Sequence, residues 1–132
     1  PVISPTATPQ ISALFEYSRA VRLLQVQEYD DSVAAFGLVI RKLPDFGRAY
    51  RGRGLAYFGD ERYKLAMEDF DTAISLEPDF AETYVDRARL NIELGDTQEA
   101  IKDLEMALKV FHPVRERHQL VETLNLLDSI RR

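Results

Sequence analysis

Between Tyr50 and Pro78 the chain carries two apolar runs with different spacing. Tyr50, Gly54 and Tyr57 set a small residue between two aromatic ones, so a neighbouring helix can approach closely at Gly54. Ala66, Phe70 and Ala73 recur at four and then three residues, the spacing of one helix face. Gly59-Asp60 separates the runs and Pro78 ends the second, so the stretch predicts a helix–turn–helix unit. The unit repeats at a step of 34 residues. Pro78 maps back onto Pro44, and Asp79-Phe80 onto Asp45-Phe46. Tyr50, Arg53, Ala66, Asp69 and Ala73 map forward onto Tyr84, Arg87, Ala100, Asp103 and Ala107, with Leu104 for Phe70 and Ala88 for Gly54. Phe36, Tyr29, Arg19 and Ala20 mark the preceding unit.

Three repeats are therefore predicted at about 13–46, 47–80 and 81–112. Their helices are expected near 10–26 and 29–42, 46–58 and 61–76, and 80–94 and 97–111. Asp79 with Glu82, and Asp96 with Glu99, have capping-box spacing, and Gly95 and Pro78 read as stop signals. A seventh helix at about 113–130 follows His112-Pro113, with Val114, Leu120, Val121, Leu124, Leu127 and Ile130 as its apolar stripe. Arg115, Glu116, Arg117, Glu122 and Arg131 would wet its other face, as the cap of a repeat array requires. Residues 1–10 are different in kind. Pro1, Pro5 and Pro9 with Ser4, Thr6 and Thr8 read as a Pro/Thr-rich linker, and Thr8-Pro9 as a cap for the first helix. Opening on Pro1, the chain is expected to be processed or part of a longer protein. Such a tether follows an export signal or membrane anchor as readily as it joins cytoplasmic domains.

The succession Tyr50, Gly54, Tyr57, Ala66, Phe70, Ala73 and Pro78 resembles a tetratricopeptide repeat. The resemblance implies an all-α fold, a right-handed α-α superhelix of three helix hairpins plus a C-terminal capping helix, concave on the side of the first helices. Repeat one departs most, with Glu16, Leu23, Ser32 and Val39 at signature positions, and repeat three has Asn91 where repeat two has Tyr57. Each repeat also carries Arg where the commonest pattern has Leu: Arg19, Arg53 and Arg87. This is similar to the Arg-Gly variant common in bacterial repeats. It implies structural pairs of Arg53 with Asp69 and Arg87 with Asp103, while Arg19 faces Ala35 and needs another acceptor.

The chemistry of the 132 residues narrows the function. Cysteine is absent, which excludes disulfides and thiolate chemistry, and the net charge of -5 argues against nucleic acid as partner. No apolar run approaches the roughly 20 residues of a membrane span, so no direct membrane insertion is expected. His112 and His118 lie six apart and do not share a helix face, so no metal site is predicted. Asp30-Asp31 and Glu68-Asp69-Phe70-Asp71 suit helix starts and outer faces. With no nucleophile–base pair or phosphate loop, neither catalytic residues nor cofactors are expected.

What remains is recognition. The resemblance implies a non-catalytic interaction scaffold that binds a peptide or partner helix in the concave groove. By register the groove is lined by Leu14, Tyr17, Ser18, Val21, Leu24 and Gln25, by Arg48, Arg51, Gly52, Leu55, Phe58 and Gly59, and by Glu82, Val85, Asp86, Arg89, Ile92 and Glu93. Apolar members can equally pack against neighbouring helices. Chaperone-binding relatives use Lys and Asn to hold a terminal carboxylate; the corresponding positions here are Tyr17, Val21, Gly52, Glu82 and Asp86. A clamp of that kind is not expected. Tyr17, Val21, Leu55, Phe58, Val85 and Ile92 beside Arg48, Arg51 and Arg89 instead suit an apolar anchor with an acidic group. The alternative is a self-assembling element that forms homodimers, or a helper domain of a larger protein.

Overall fold

A computed structural model describes residues 8–132. Its elements are α1 (Thr8–Gln25), α2 (Tyr29–Lys42), α3 (Gly47–Gly59), α4 (Tyr63–Leu76), α5 (Ala81–Glu93), α6 (Thr97–Val110) and α7 (Arg117–Arg131). The chain divides after Leu76 into two compact units. Hairpins α1–α2 and α3–α4 lie in the first, and hairpin α5–α6 with α7 in the second.

In the first unit Ala20, Ala35 and Ala49 bring three helices close, and Phe36 and Val39 fill the space between them. Ser32 stands where the other repeats have alanine, and its buried hydroxyl donates to the Ala20 carbonyl at 2.9 Å. A polar group is thus tolerated because it is satisfied. Gly54 admits close approach: a Cβ there would lie 2.7 Å from the Phe70 ring and 3.3 Å from the Ala66 carbonyl. Two more α3 glycines do similar work against α2. A Cβ on Gly52 would overlap the Phe36 ring, and one on Gly59 would overlap Tyr29. Rings seven residues apart on α2 therefore meet glycines seven apart on α3, in antiparallel order.

In the second unit Ala88, Ala100 and Leu104 form the hairpin core, and Leu127 of α7 closes it with Leu126 and Ile130 alongside. Both units use the repeat's aromatic and proline in the same way. The Tyr50 hydroxyl donates to the Pro44 carbonyl at 3.2 Å, and Tyr84 to Pro78 at 2.8 Å. The first helix of each hairpin also ends alike, on a left-handed residue: Gln27 (φ 64°), Glu61 (φ 61°) and Gly95 (φ 81°). The next amide then reaches back five residues: Glu28 N to Leu23 O at 2.9 Å, Arg62 N to Tyr57 O at 2.8 Å, and Asp96 N to Asn91 O at 2.8 Å.

Several boundaries differ from the sequence expectation. The linker expected over residues 1–10 lies outside the described residues as far as Ala7, but Thr8, Pro9 and Gln10 are already helical. Proline fits the first turn, where its missing N–H has no intrahelical partner to lose. Gly59, expected between the two helices, belongs to α3, and the left-handed residue of the turn is Glu61. Helix α5 is capped by Phe80 with no side-chain hydrogen bond, so Asp79 and Glu82 form no capping box. At α6, Asp96 accepts from the Glu99 amide at 3.4 Å, while the Glu99 side chain turns to Lys102.

The capping helix begins at Arg117 rather than near 113. His112 Nδ1 accepts from the amides of Val114 (3.2 Å) and Arg115 (3.1 Å), and Glu116 accepts from the His112 amide (2.7 Å). These side chains satisfy backbone donors in a tight turn and delay the helix. Its apolar stripe also splits. Leu127 is buried, but Val114 is 77% exposed and Val121 and Leu124 are each 45% exposed.

Candidate functional site

The arginines of α3 and α5 that face the second helices are joined to them by forked pairs. Arg53 donates to both Asp69 carboxylate oxygens, Nε at 2.8 Å and Nη2 at 2.9 Å. Arg87 does the same to Asp103, at 2.9 Å and 2.7 Å. The aspartates are buried, and the fork satisfies both oxygens, which removes most of the cost of burying them. The hydrogen bond to Asp69 raises the Arg53 pKa above its ordinary value, against the burial that lowers it. Asn91 Nδ2 adds a longer contact to Asp103 at 3.4 Å. Arg19, with alanine opposite, pairs with Glu16 on its own helix at 3.4 Å, at the surface.

The groove residues named from register are divided between the two units, those of α1 and α3 in the first and those of α5 in the second. In the first unit, Tyr17 and Val21 of α1 are half-buried against the core. Tyr17 meets Phe36 edge-on at 5.7 Å and Phe46 at 5.1 Å between ring centroids. The Arg48 guanidinium sits over that same Phe46 ring, 5.7 Å from its centroid. Arg48, Phe46, Tyr17 and Phe36 thus form a continuous line of side chains from solvent to core. Phe46 was visible in the sequence only as part of the repeated Asp-Phe pair; its place just before a helix rich in arginine is the signal that could have marked it. Arg51 and Leu55 are half-buried on α3, and Phe58 stacks edge-on with Tyr63 at 5.8 Å. Leu14, Ser18 and Gln25 are exposed, whereas Leu24 packs into the core. Gly52 is buried against the Phe36 ring, whereas Gly59 is exposed and packs beside Tyr29.

In the second unit Val85 and Ile92 pack against the α5–α6 core, Arg89 and Glu93 are exposed, and Asp86 is buried. Glu82 is half-buried, with one carboxylate oxygen that has no hydrogen-bond partner. An open depression of about 620 Å³ lies elsewhere, at the α6–α7 corner among Lys109, Phe111, His112 and Arg115. Its histidine is already engaged in the turn. Among the described residues no group of three or more His, Asp or Glu is placed to hold a metal ion, and no helix is long and apolar enough to cross a membrane.

The helix hairpins that recur every 34 residues are matched by two profiles described as tetratricopeptide repeat, over residues 17–79 and 81–110. The chain belongs to the tetratricopeptide repeat family. Human tetratricopeptide repeat protein 13 is 32% identical over 111 residues, which is 80% of this chain and 13% of that protein. The chain therefore spans a small part of the curated relatives it matches. The TPR2B domain of yeast Sti1, solved in complex with pHsp70, superposes with a TM-score of 0.85 at 20% identity, covering 91% of this chain and 96% of the domain. The Yersinia enterocolitica type III secretion translocator chaperone SycD, solved as an alternative dimer, gives 0.86 at 17% identity over 91% and 92%. Seven helices, as three tetratricopeptide hairpins and a capping helix, give the chain the all-α tetratricopeptide superhelix fold. A tetratricopeptide domain is a protein-binding domain and non-catalytic by itself.

Proposed function

We propose that the protein is a recognition module whose α1–α3 face binds a peptide or partner helix with one apolar anchor and one acidic group. The observation that carries this is the line of Arg48, Phe46 and Tyr17, which brings a guanidinium against an aromatic surface at the edge of the fold. Tyr17, Val21, Leu55 and Phe58 supply apolar contact, and Arg48 and Arg51 the positive charge. The equivalent register on α5 places Val85, Arg89 and Ile92 on the first helix of the next repeat. An aromatic ring beneath an arginine restricts the guanidinium and strengthens its hold on a carboxylate.

The Sti1 domain's complex with pHsp70 supports peptide binding as the use of this fold. The bound chemistry here is proposed to differ. The positions that would clamp a terminal carboxylate are Tyr17, Val21, Gly52, Glu82 and Asp86, and none is a cation. We further read the Arg53–Asp69 and Arg87–Asp103 forks as the internal stitching of Arg-Gly-type repeats. The relatives' greater length supports a role as the recognition part of a longer protein.

The test is a fluorescence assay against a panel of helical peptides that vary in one acidic and one apolar position. Arg48→Glu with Arg51→Glu should weaken the best binder by about tenfold or more, because two attractive contacts become repulsive. Arg22→Glu, an exposed α1 change outside the proposed contacts, should leave it unchanged. Equal affinity across all three proteins would remove the α1–α3 face from the function.

A further inference from the structure

Helix α7 carries a second apolar strip, Val121 and Leu124, which its own fold covers only in part. Thr123 and Leu127 are buried on the side that meets the α5–α6 hairpin, while Val121 and Leu124, each 45% exposed, lie on the neighbouring strip of the helix. Exposed Arg117 precedes Val121 by four residues, and exposed Asp128 follows Leu124 by four. At about 100° per residue the four side chains fall within one arc of roughly 60°. The pattern reads the same from both ends: Arg117 and Asp128 are equidistant from the midpoint between Val121 and Leu124.

A two-fold axis through that midpoint sets α7 antiparallel to α7 of another copy. Val121 then meets Leu124, and Arg117 meets Asp128, each contact occurring twice. We propose that this face is a self-complementary docking surface for a second copy of the chain, forming an antiparallel α7–α7 dimer closed at both ends by Arg117–Asp128 ion pairs. The charge order selects the direction, because a parallel pair would set Arg117 against Arg117. In a single copy Asp128 pairs with Arg132 at 3.0 Å, but both side chains are largely exposed at 70% and 79%. An exposed pair of this kind contributes little, so it does not hold Asp128 away from a second arginine. The outer face of α1 shows the contrast. Ile11, Leu14 and Phe15 are exposed there, with Ser18 and Arg22 along the same face and no carboxylate to complete a two-fold pattern.

One helix face is a small interface, so the dimer is weak and in fast exchange. Sedimentation of the 132-residue chain from micromolar to millimolar concentration should show reversible dimer formation. Arg117→Asp and Asp128→Arg should each weaken it about tenfold or more, since each turns two attractions into two repulsions. The double variant Arg117→Asp/Asp128→Arg restores both pairs and should recover the wild-type constant to within about threefold. Val121→Glu should abolish the dimer with unchanged helical content, and Arg132→Ala should leave it intact. A monomer at every concentration overturns the proposal. So does a dimer indifferent to either charge reversal, or a double variant that recovers nothing.

Discussion

Gln27 and Glu61 hold a backbone conformation in which their Cβ crowds the following carbonyl, at φ 64° and 61°, where the equivalent joint in repeat three has Gly95. Gln27→Gly and Glu61→Gly should therefore each stabilise the protein by about 0.5–1 kcal/mol in urea unfolding, despite removing a side chain. Gly95→Ala should cost about 1 kcal/mol in the same assay. Gly52 and Gly59 of α3 behave differently, because the obstacle there is a neighbouring ring. Gly52→Ala should destabilise by about 1–3 kcal/mol through overlap with Phe36, and Phe36→Leu in the same chain should recover part of the loss. Neither role was legible at the residue level. A glycine reads as a turn or as an empty groove position until the ring that fills its space is located. Ser32, by contrast, reads as a departure from alanine, and its hydrogen bond to Ala20 explains why the departure is tolerated.

At the level of the helix pair, the Arg–Asp forks were the most legible feature. Arg53 and Asp69, like Arg87 and Asp103, are sixteen residues apart in a repeat of fixed geometry. That spacing brings the first helix's guanidinium to the second helix's carboxylate whenever the hairpin forms. Asp69→Asn should cost about 2 kcal/mol by chemical denaturation, a value discounted because the Arg53 side chain remains 26% exposed. Arg53→Lys should recover little, as one ammonium cannot make both bonds of the fork. Because the Arg53 pKa is raised, its contribution is complete below the ordinary arginine value and is lost only as pH rises through the higher folded value. Denaturation midpoints followed to about pH 10 should show no loss attributable to this guanidinium. Helix starts were less legible. Spacing suggested capping boxes at α5 and α6, but Phe80 stands at the α5 boundary and Asp79 falls one residue early. The α7 start was displaced by side-chain caps from His112 and Glu116, which no periodicity encodes.

Over the whole chain, repeat number and fold class were readable because one 34-residue register recurs in residue type and spacing alike. The binding faces were readable only as positions. Whether Tyr17 or Val85 faces a ligand or a core depends on neighbours from other helices, and both prove half-buried. Charge gives the molecule a further asymmetry: α3 contains Arg48, Arg51 and Arg53 with no acidic residue, in a chain of net charge -5. Binding of an acidic peptide at α3 should weaken several-fold when salt is raised from about 0.05 M to about 0.5 M, through screening of these arginines. Salt insensitivity would place the affinity in apolar contact alone. The paired rings and glycines of α2 and α3 bear on how such a chain can change by duplication. At the positions of Gly52 and Gly59, one repeat later, stand Asp86 and Glu93. Copying the third repeat into the place of the second would therefore set two carboxylates where Phe36 and Tyr29 need empty space. The repeats share a fold, and the joint of α2 with α3 carries a ring-to-glycine fit that belongs to the second repeat.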